Sequence, residues 1–475
     1  MRAQRRPVVI GTGTSCNQIS RSVPGFSLTS YQRGIMAGST FPKGGVHPEE
    51  HKELTEHLAI EEMPAPGQVV LPLSMHFGAA AKPVVKKKQQ VQEGEVLAIV
   101  EKALGASIHS SVTGVVKSIE PRPHPTMVRC DAVVIERDPS APARQYETED
   151  WRKLSREQLL ARVKEAGLVG LGGAGFPTHV KLSPPPTAKV DTLILNGAEC
   201  EPYLTTDHRI MLEYPGKIVQ GAKIILKILG IKQCILGIEL NKPDAINVMN
   251  KAVQESFGDE DLNVRVQGME VKYPQGSEKQ LIYSLTNRAV PGGGLPFDVG
   301  VIVQNISTTL AVFEAAIMSK PLYEKVVTFS GRAINRPANL KVKVGTLLSD
   351  VVNYLGGTRD LLKIVSGGPM MGFAISDLEV PIVKATSGVL FLNSKETDVG
   401  EYGPCIHCGW CMEACPMGLS PKEVGIYVEA GKGHLTEKYG VFECFECGCC
   451  GYVCPARRPL VQFARLAKIQ IKKHG

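Results

Sequence analysis

The sequence predicts a multidomain chain of α/β plus β class that ends in a small, cysteine-rich α-helical unit. Three observations predict it. The stretch from residue 155 to 305 alternates helical and strand patterns. The stretch from 41 to 140 carries short β-rich runs bounded by Gly, Pro and Lys. Two cysteine strings of equal spacing stand after residue 400. A length of 475 residues suits several domains, and 43% hydrophobic residues suits sizeable cores.

The cysteine strings carry the most specific chemistry. They read Cys405-x-x-Cys408-x-x-Cys411-x-x-x-Cys415-Pro416 and Cys444-x-x-Cys447-x-x-Cys450-x-x-x-Cys454-Pro455. Each has the spacing of the bacterial ferredoxin run that holds a [4Fe–4S] cubane. Three thiolates spaced three apart wrap three corners of one cluster. The fourth, followed by Pro, leaves the loop and reaches the other cluster. This geometry assigns Cys405, Cys408, Cys411 and Cys454 to one cluster, and Cys444, Cys447, Cys450 and Cys415 to the other. Structural zinc usually takes two separated Cys pairs instead. The chain has 13 cysteines in all, and the rest (Cys16, Cys130, Cys200, Cys234 and Cys449) are too scattered for a disulfide framework. Composition therefore points to a cytoplasmic setting.

Little else in the composition is extreme. The net charge of +7 permits an acidic partner or an anionic membrane surface without requiring one. No nucleic-acid partner is expected. No run reaches the ~18 apolar residues of a membrane span; the stretch 218–231 fails because it carries Lys223 and Lys227. From Met1 to Pro48 there is no Asp or Glu, and Arg2, Arg5, Arg6, Arg21 and Arg33 supply the charge. A transit peptide has that bias, and so do a disordered tail and a start codon placed too early. Residues 1–40 read as a non-functional extension, with Met36 the expected true start.

Between 41 and 140, the runs at 69–73, 96–100, 112–116 and 132–135 read as strands. The segments starting at Val91 and Ser110 resemble a lipoyl-type barrel-sandwich domain. The linking sequence has no Met-Lys or Asp-Lys pair, so Lys102 is expected to be unmodified and the domain structural or docking. His47, His51 and His57 lack the His-Glu-x-x-His arrangement of a zinc site and read as ordinary surface or core histidines.

A helix over 155–166, opened by Ser155 and Glu157, runs into Gly170-Leu-Gly172-Gly173-Ala-Gly175-Phe176-Pro177. Such a loop lets backbone approach a ligand closely and present N–H groups to a phosphate. A helix precedes it and Pro177 follows, so it is not a dinucleotide fingerprint, and no Gly-Lys-Ser/Thr closes it as a Walker loop. Lys181 suits a phosphate or a flavin carbonyl. A buried strand at 190–195 ends in Asn196-Gly-Ala-Glu199-Cys200-Glu201-Pro202, where open α/β sheets bind ligands. A helix over 214–229 and a strand over 234–240 continue the alternation and predict a mostly parallel, helix-covered sheet. Tyr273-Pro-Gln-Gly276-Ser-Glu278 and a strand ending in Asn305 follow.

The glycine loop, the Asn-x-x-Glu-x-Glu-Pro strand end, the Tyr-x-x-Gly-x-Glu turn and the Asn305 strand are similar to the flavin- and NADH-binding subunit of respiratory complex I. The order of the whole chain resembles the C component of the Rnf electron-transport family from about residue 41 to the end. That resemblance includes Lys43-Gly-Gly-Val-His-Pro48 and His51-Lys-Glu-Leu-Thr55. It implies that Gly170, Gly172, Gly173, Gly175, Lys181, Asn196, Glu199, Asn305 and Thr308 line FMN. It implies that Phe176, Glu201 and Glu278 face the nicotinamide dinucleotide. Leu171 stands where the complex I relative carries Arg.

The stretch 325–395, with a strand from Val326 and a capped helix over 344–357, resembles the β-grasp domain of the same relatives. The implied order is an extension at 1–40, a barrel-sandwich domain at 41–140 and a Rossmann-like FMN/NADH α/β domain at 141–324. The β-grasp domain at 325–395 and a two-cluster ferredoxin-like domain at 396–475 follow.

After Cys454 the chain is basic (Arg457, Arg458, Arg465, Lys468, Lys472 and Lys473), with no acid in sequence to face them, and Leu460, Phe463, Ala467 and Ile471 share a helical face. That pattern fits a solvated terminal helix or a docking helix for a membrane-bound partner. The expected function is an NAD-dependent flavin and iron–sulfur oxidoreductase subunit with two [4Fe–4S] clusters. It would lie peripherally on the cytoplasmic face of the inner membrane. Its partners would be other subunits of a membrane complex and ferredoxin or a cluster-bearing subunit. The alternatives are a soluble reductase serving a corrinoid or selenoprotein reductase, and a ferredoxin-like adaptor without enzymatic activity.

Overall fold

The structure, a computed structural model, describes residues 38–101, 104–257 and 261–474. The extension up to residue 37, with Met36, and Lys102 lie outside the described residues.

Alternating apolar residues build two facing antiparallel sheets in the first part of the chain. One orders Gln68–Pro72, Arg129–Arg137, Gly114–Pro123 and Gln90–Val91; the other orders Lys82–Pro83, Val96–Ile99 and Ile108–His109. Val69, Leu71, Leu97, Ile108, Val116, Val133 and Ile135 are buried in one cluster. A register shift between Val116 and Ser118 bends the long hairpin, as a bulge does. The earlier Glu61–Glu62 segment pairs elsewhere, in parallel with Leu340 and Lys341.

Next comes a four-stranded, all-parallel sheet. Its order is Asn263–Met269, Gln233–Glu239, Thr192–Gly197, Val301–Asn305. Helices Pro215–Leu229, Pro243–Phe257 and Ile306–Met318 accompany it. Leu193, Ile194 and Leu195 are buried, which explains why the strand reads as a continuous apolar run. The preceding helix, Arg156–Glu165, starts at a capping box in which Ser155 and Gln158 satisfy each other's backbone N–H. The strand order sets the first and last strands of this sheet side by side, with Asn196 opposite Asn305. That is a topological switch point, where such sheets leave a crevice at the strands' carboxyl ends.

A six-stranded mixed sheet follows, from Glu324–Ser330 to Gly388–Leu392, with Glu61–Glu62 at one edge. Its helix spans only Leu348–Tyr354. The residues before it are spent on backbone pairing: Gly345 N–H donates to Ile382 O at 2.8 Å and Ile382 N–H to Thr346 O at 2.8 Å.

The last unit is built from short helices, including Trp410–Glu413, Pro421–Glu429 and Cys449–Tyr452, and ends in Leu460–His474. Four of the six basic residues named in the tail do face acids once folded. Arg457 pairs with Asp398, Arg458 with Glu429, and Arg465 and Lys468 with Glu446. These acids lie far back in sequence, so the reading of an unopposed basic tail is corrected. Ala464 and Ala467 pack on Val424, Val428 and Val441, with Phe463 and Ile471 alongside. The helix's apolar face is therefore used inside the unit. Among the described residues no helix is long and apolar enough to cross a membrane.

Candidate functional site

A cavity of about 640 Å³ opens at the carboxyl ends of the parallel strands, within the size of small-molecule sites. Gly170, Gly172, Gly173, Gly175, Phe176, Lys181, Asn196, Glu199, Glu201, Glu278 and Asn305 all line it. Thr308 does not. It is buried behind the wall, where its hydroxyl accepts from Leu171 N–H at 2.9 Å and its own N–H donates to Asn305 Oδ1 at 3.2 Å. The Leu171 side chain is buried in the core, so the position offers no charged contact. A Cβ on Gly172 would sit 2.6 Å from Asn305 Nδ2, whereas one on Gly173 would meet nothing within 4 Å. Loop and Asn305 are thus in contact at Gly172, while the backbone at Gly173 stays open to a ligand.

Fixed charges organise the floor. Glu199 accepts from the N–H groups of Asp207 at 2.7 Å and His208 at 3.1 Å, at the start of helix Thr206–Glu213. Asp207 in turn accepts from Ser307 Oγ and from Asn305 Nδ2, each at 2.6 Å. Burial and, after it, the nearby Glu199 push the Asp207 carboxyl up to about 6. Lys325, from the mixed sheet, also lines the cavity and donates to Lys384 O at 2.7 Å. Burial pushes its ammonium down to about 7, against the pull of Asp207. Below the strand end, buried Lys52 donates to the carbonyls of Glu199 (3.0 Å), Glu201 (3.0 Å) and Leu204 (2.6 Å). Lys242 does the same for Ala198 O at 2.7 Å. Two buried ammonium groups therefore hold the loop that carries both glutamates.

Glu201 points toward the mixed sheet, accepting from Met370 N–H at 3.0 Å and Met371 N–H at 2.9 Å. Burial raises its carboxyl to about 7. Lys181 and Glu278 pair with each other at 2.6 Å across the cavity. A ligand phosphate or carbonyl at Lys181 would have to share or replace that partner.

The cysteines gather in two further cavities. One is ringed by Cys405, Cys408, Cys411 and Cys454, the other by Cys415, Cys444, Cys447, Cys449 and Cys450. Among the described residues no three Cys, His, Asp or Glu converge as a single metal ion needs. Four thiols spread around a hollow instead suit the corners of a cubane. Cys449, the fifth thiol of the second ring, is fully buried with its Sγ 4.0 Å from Tyr273 O. The three N-terminal histidines are dispersed: His47 Nδ1 lies 3.0 Å from Val271 O, His51 stacks on Tyr203 and His57 is largely exposed.

The sheet-end cavity and the second cysteine cavity share a wall. Cys444 lines both, flanked in the larger one by Phe442 and Phe445. Tyr273, buried at the cavity edge, donates its hydroxyl to Cys447 O at 2.7 Å. The Lys43-Gly44-Gly45-Val46 segment closes the joint. Val46 exchanges two backbone bonds of 2.9 Å with Tyr273, and Gly45 N–H donates to Ala414 O at 3.0 Å. Gly44 has φ +63°, and a Cβ there would lie 2.5 Å from the Cys415 carbonyl carbon, so only glycine fits.

Family models match four stretches of the chain. The description "RnfC Barrel sandwich hybrid domain" matches residues 40–140, and "Nuo51 FMN-binding domain" matches 163–314. "SLBB domain" matches 326–374 and "4Fe-4S dicluster domain" matches 398–455. The chain is 45% identical over 446 residues to the C component of the proton-translocating ferredoxin:NAD(+) oxidoreductase complex of Clostridium ljungdahlii, covering 91% of this chain and 94% of that one. It is 40% identical to the C component of the Na(+)-translocating ferredoxin:NAD(+) oxidoreductase complex of Acetobacterium woodii, covering 90% and 96%. It is also 40% identical to the C component of the ion-translocating oxidoreductase complex of Rhodobacter capsulatus, covering 90% and 82%. The chain belongs to the RnfC family. Its cofactors are FMN and two [4Fe–4S] clusters, and it is one oxidoreductase component of an assembly of several different chains.

Several residues of this RnfC site escape a sequence reading. Lys52 sits in the quoted His51-Lys-Glu-Leu-Thr stretch, yet nothing local shows that it reaches residues 199–204. Asp207 and Ser307 lie a hundred residues apart and meet only through the strand order. Lys325 arrives from the following unit. A polar cluster just after Pro202 (Thr205-Thr206-Asp207) is the one local signal, that of a helix start.

Four outcomes are expected. Anaerobically purified protein should carry about eight iron atoms, two cubanes of four. Cys449→Ser should retain both clusters and Cys447→Ser should lose one; equal iron loss in both would place Cys449 among the ligands. Gly173→Val should empty the cavity of flavin at normal iron content, because a Cβ there meets no protein atom within 4 Å and would stand in the open space of the cavity. Asp207→Asn should weaken flavin binding about tenfold. Its amide would oppose the Asn305 amide, and a mispaired buried polar group costs ~1–3 kcal/mol. Unchanged flavin retention in both variants would put the flavin elsewhere.

Proposed function

We propose that this chain exchanges hydride with NADH at the sheet-end cavity and single electrons through its two cysteine rings, as the NAD-facing subunit of an ion-translocating membrane complex. The carrying observation is the shared wall: Cys444 lines both the flavin-sized cavity and the second ring. FMN, when bound, supplies the conversion between hydride and one-electron chemistry. The chain's own residues bind and orient. The glycine loop would cradle the flavin from one side, Asn196 and Asn305 would meet it at the strand ends, and Lys181 would meet a phosphate or ring carbonyl. The buried Lys52 and Lys242 keep the 198–204 backbone fixed while this happens. Phe176 and Glu278 would border the dinucleotide, and Glu201 would fix the neighbouring Met370–Met371 loop.

The ring of Cys415, Cys444, Cys447 and Cys450 is the one beside the flavin cavity. The ring of Cys405, Cys408, Cys411 and Cys454 would then be the outer station. Cys408 is exposed there, and Ile406 and Trp410 are exposed nearby. Relatives named as members of ferredoxin:NAD(+) oxidoreductase complexes support ferredoxin or a cluster-bearing subunit as the electron partner. The same names support peripheral attachment on the cytoplasmic face, where NADH is available.

No arginine is among the described residues lining the cavity, where the cations are Lys181, Lys279 and Lys325. Lys279 is already paired with Glu443 at 3.1 Å. Within the cavity a 2′-phosphate would thus lack its usual partner. NADH should bleach the flavin of the purified protein under anaerobic conditions and NADPH at equal concentration should not. Bleaching by neither nucleotide would remove the dinucleotide from the account.

A further inference from the structure

Phe77 belongs to the first, barrel-sandwich unit, yet it stands beside the glycine loop of the next. Its ring centroid lies 5.8 Å from that of Phe176, with the planes 31° apart. Its backbone N–H donates to Gly175 O at 2.9 Å. The turn that presents it is tightly set. His76 Nε2 lies 2.9 Å from Ala79 O, and Ala79 N–H donates to Leu104 O at 2.9 Å. Gly78 has φ +117°, and a Cβ there would fall 2.0 Å from Leu104 O. The turn therefore admits only glycine after Phe77. Despite this anchoring, Phe77 remains 53% exposed. A large aromatic ring held firmly at the surface, next to a second ring that lines a ligand cavity, offers a stacking face rather than a core contact.

We propose that Phe77 extends the Phe176 wall into a stacking platform for the adenine end of NADH, so that the barrel-sandwich unit contributes directly to dinucleotide binding. This rests on the functional reading above. The nicotinamide must enter the cavity to reach the flavin, and Phe176 lines that cavity while Phe77 does not. Phe77 is thus placed at the rim, where the distal half of a dinucleotide emerges. Aromatic side chains hold bases through their faces without hydrogen-bond readout, so no polar partner is needed there.

The test uses the full-length, flavin- and cluster-loaded protein. Reduced nicotinamide mononucleotide carries the reactive ring without adenosine, and ADP-ribose carries the adenosine without the reactive ring. Phe77→Leu keeps an apolar contact with Phe176 and removes the aromatic face. It should lower the ratio of kcat/KM for NADH to that for reduced nicotinamide mononucleotide about tenfold, the usual scale for losing one base stack. The Kd for ADP-ribose should rise by a similar factor, at unchanged flavin and iron content. Phe77→Trp should restore both values. An unaltered ratio and an unaltered ADP-ribose Kd in Phe77→Leu would overturn the inference. Loss of flavin or of folding in Phe77→Leu while Phe77→Trp shows no preference for NADH would also overturn it, making Phe77 a packing residue. Failure of NADH to bleach the flavin of the unaltered protein would overturn the functional reading itself, and this inference with it.

Discussion

Electron exchange between two bound groups requires that their sites be neighbours, and here one hydrogen bond marks the joint. Tyr273, 2% exposed, donates to the carbonyl of Cys447 at 2.7 Å. Val46 pairs with Tyr273 on one side, and Gly45 and Gly44 press on Ala414 and Cys415 on the other. Three segments far apart in sequence therefore converge where the parallel sheet meets the second cysteine ring. Burial pushes the Tyr273 phenol well above its ordinary range, so it stays protonated and remains a donor. A buried donor and acceptor held this way are costly to separate. With Lys279 paired to Glu443 at 3.1 Å and Gly293 N–H donating to Glu443 at 2.8 Å, that contact joins the cluster unit to the flavin unit.

The second constraint is the strand order of the parallel sheet. Setting Thr192–Gly197 beside Val301–Asn305 brings Asn196 opposite Asn305 and leaves the crevice above them. Glu199 at one helix start, Asp207 bridging Asn305 and Ser307, and Lys52 gathering three carbonyls then fix the crevice floor without using its open face. Preorganisation of this kind lets a site bind without reordering its walls.

Local chemistry was legible in the sequence because its periods are local. The cysteine spacing, the glycine run, the capping residues of Arg156–Glu165 and the alternation of strands and helices each lie within a few turns of chain. What stayed hidden depends on long-range placement. The acids opposite Arg458, Arg465 and Lys468 come from segments up to 29 residues away, so the tail read as unopposed. The helix after Val344 read as too long because its first residues pair with the 380–382 segment, a contact no periodicity announces. Lys325 reaches the cavity from the unit that follows it, Phe77 stands beside the glycine loop from the unit that precedes it, and Thr308, expected at the ligand, supports that loop from behind.

The central claim is that the ring of Cys415, Cys444, Cys447 and Cys450 adjoins the flavin and the other ring lies beyond it. Rapid-freeze electron paramagnetic resonance after mixing with NADH tests it most directly, using Cys450→Ala to disable the near ring and Cys408→Ala to disable the far one. Fast reduction of the remaining cluster in Cys408→Ala, and its slow or absent reduction in Cys450→Ala, is the result predicted. Fast reduction of the remaining cluster in Cys450→Ala with loss in Cys408→Ala would reverse the order and contradict the account.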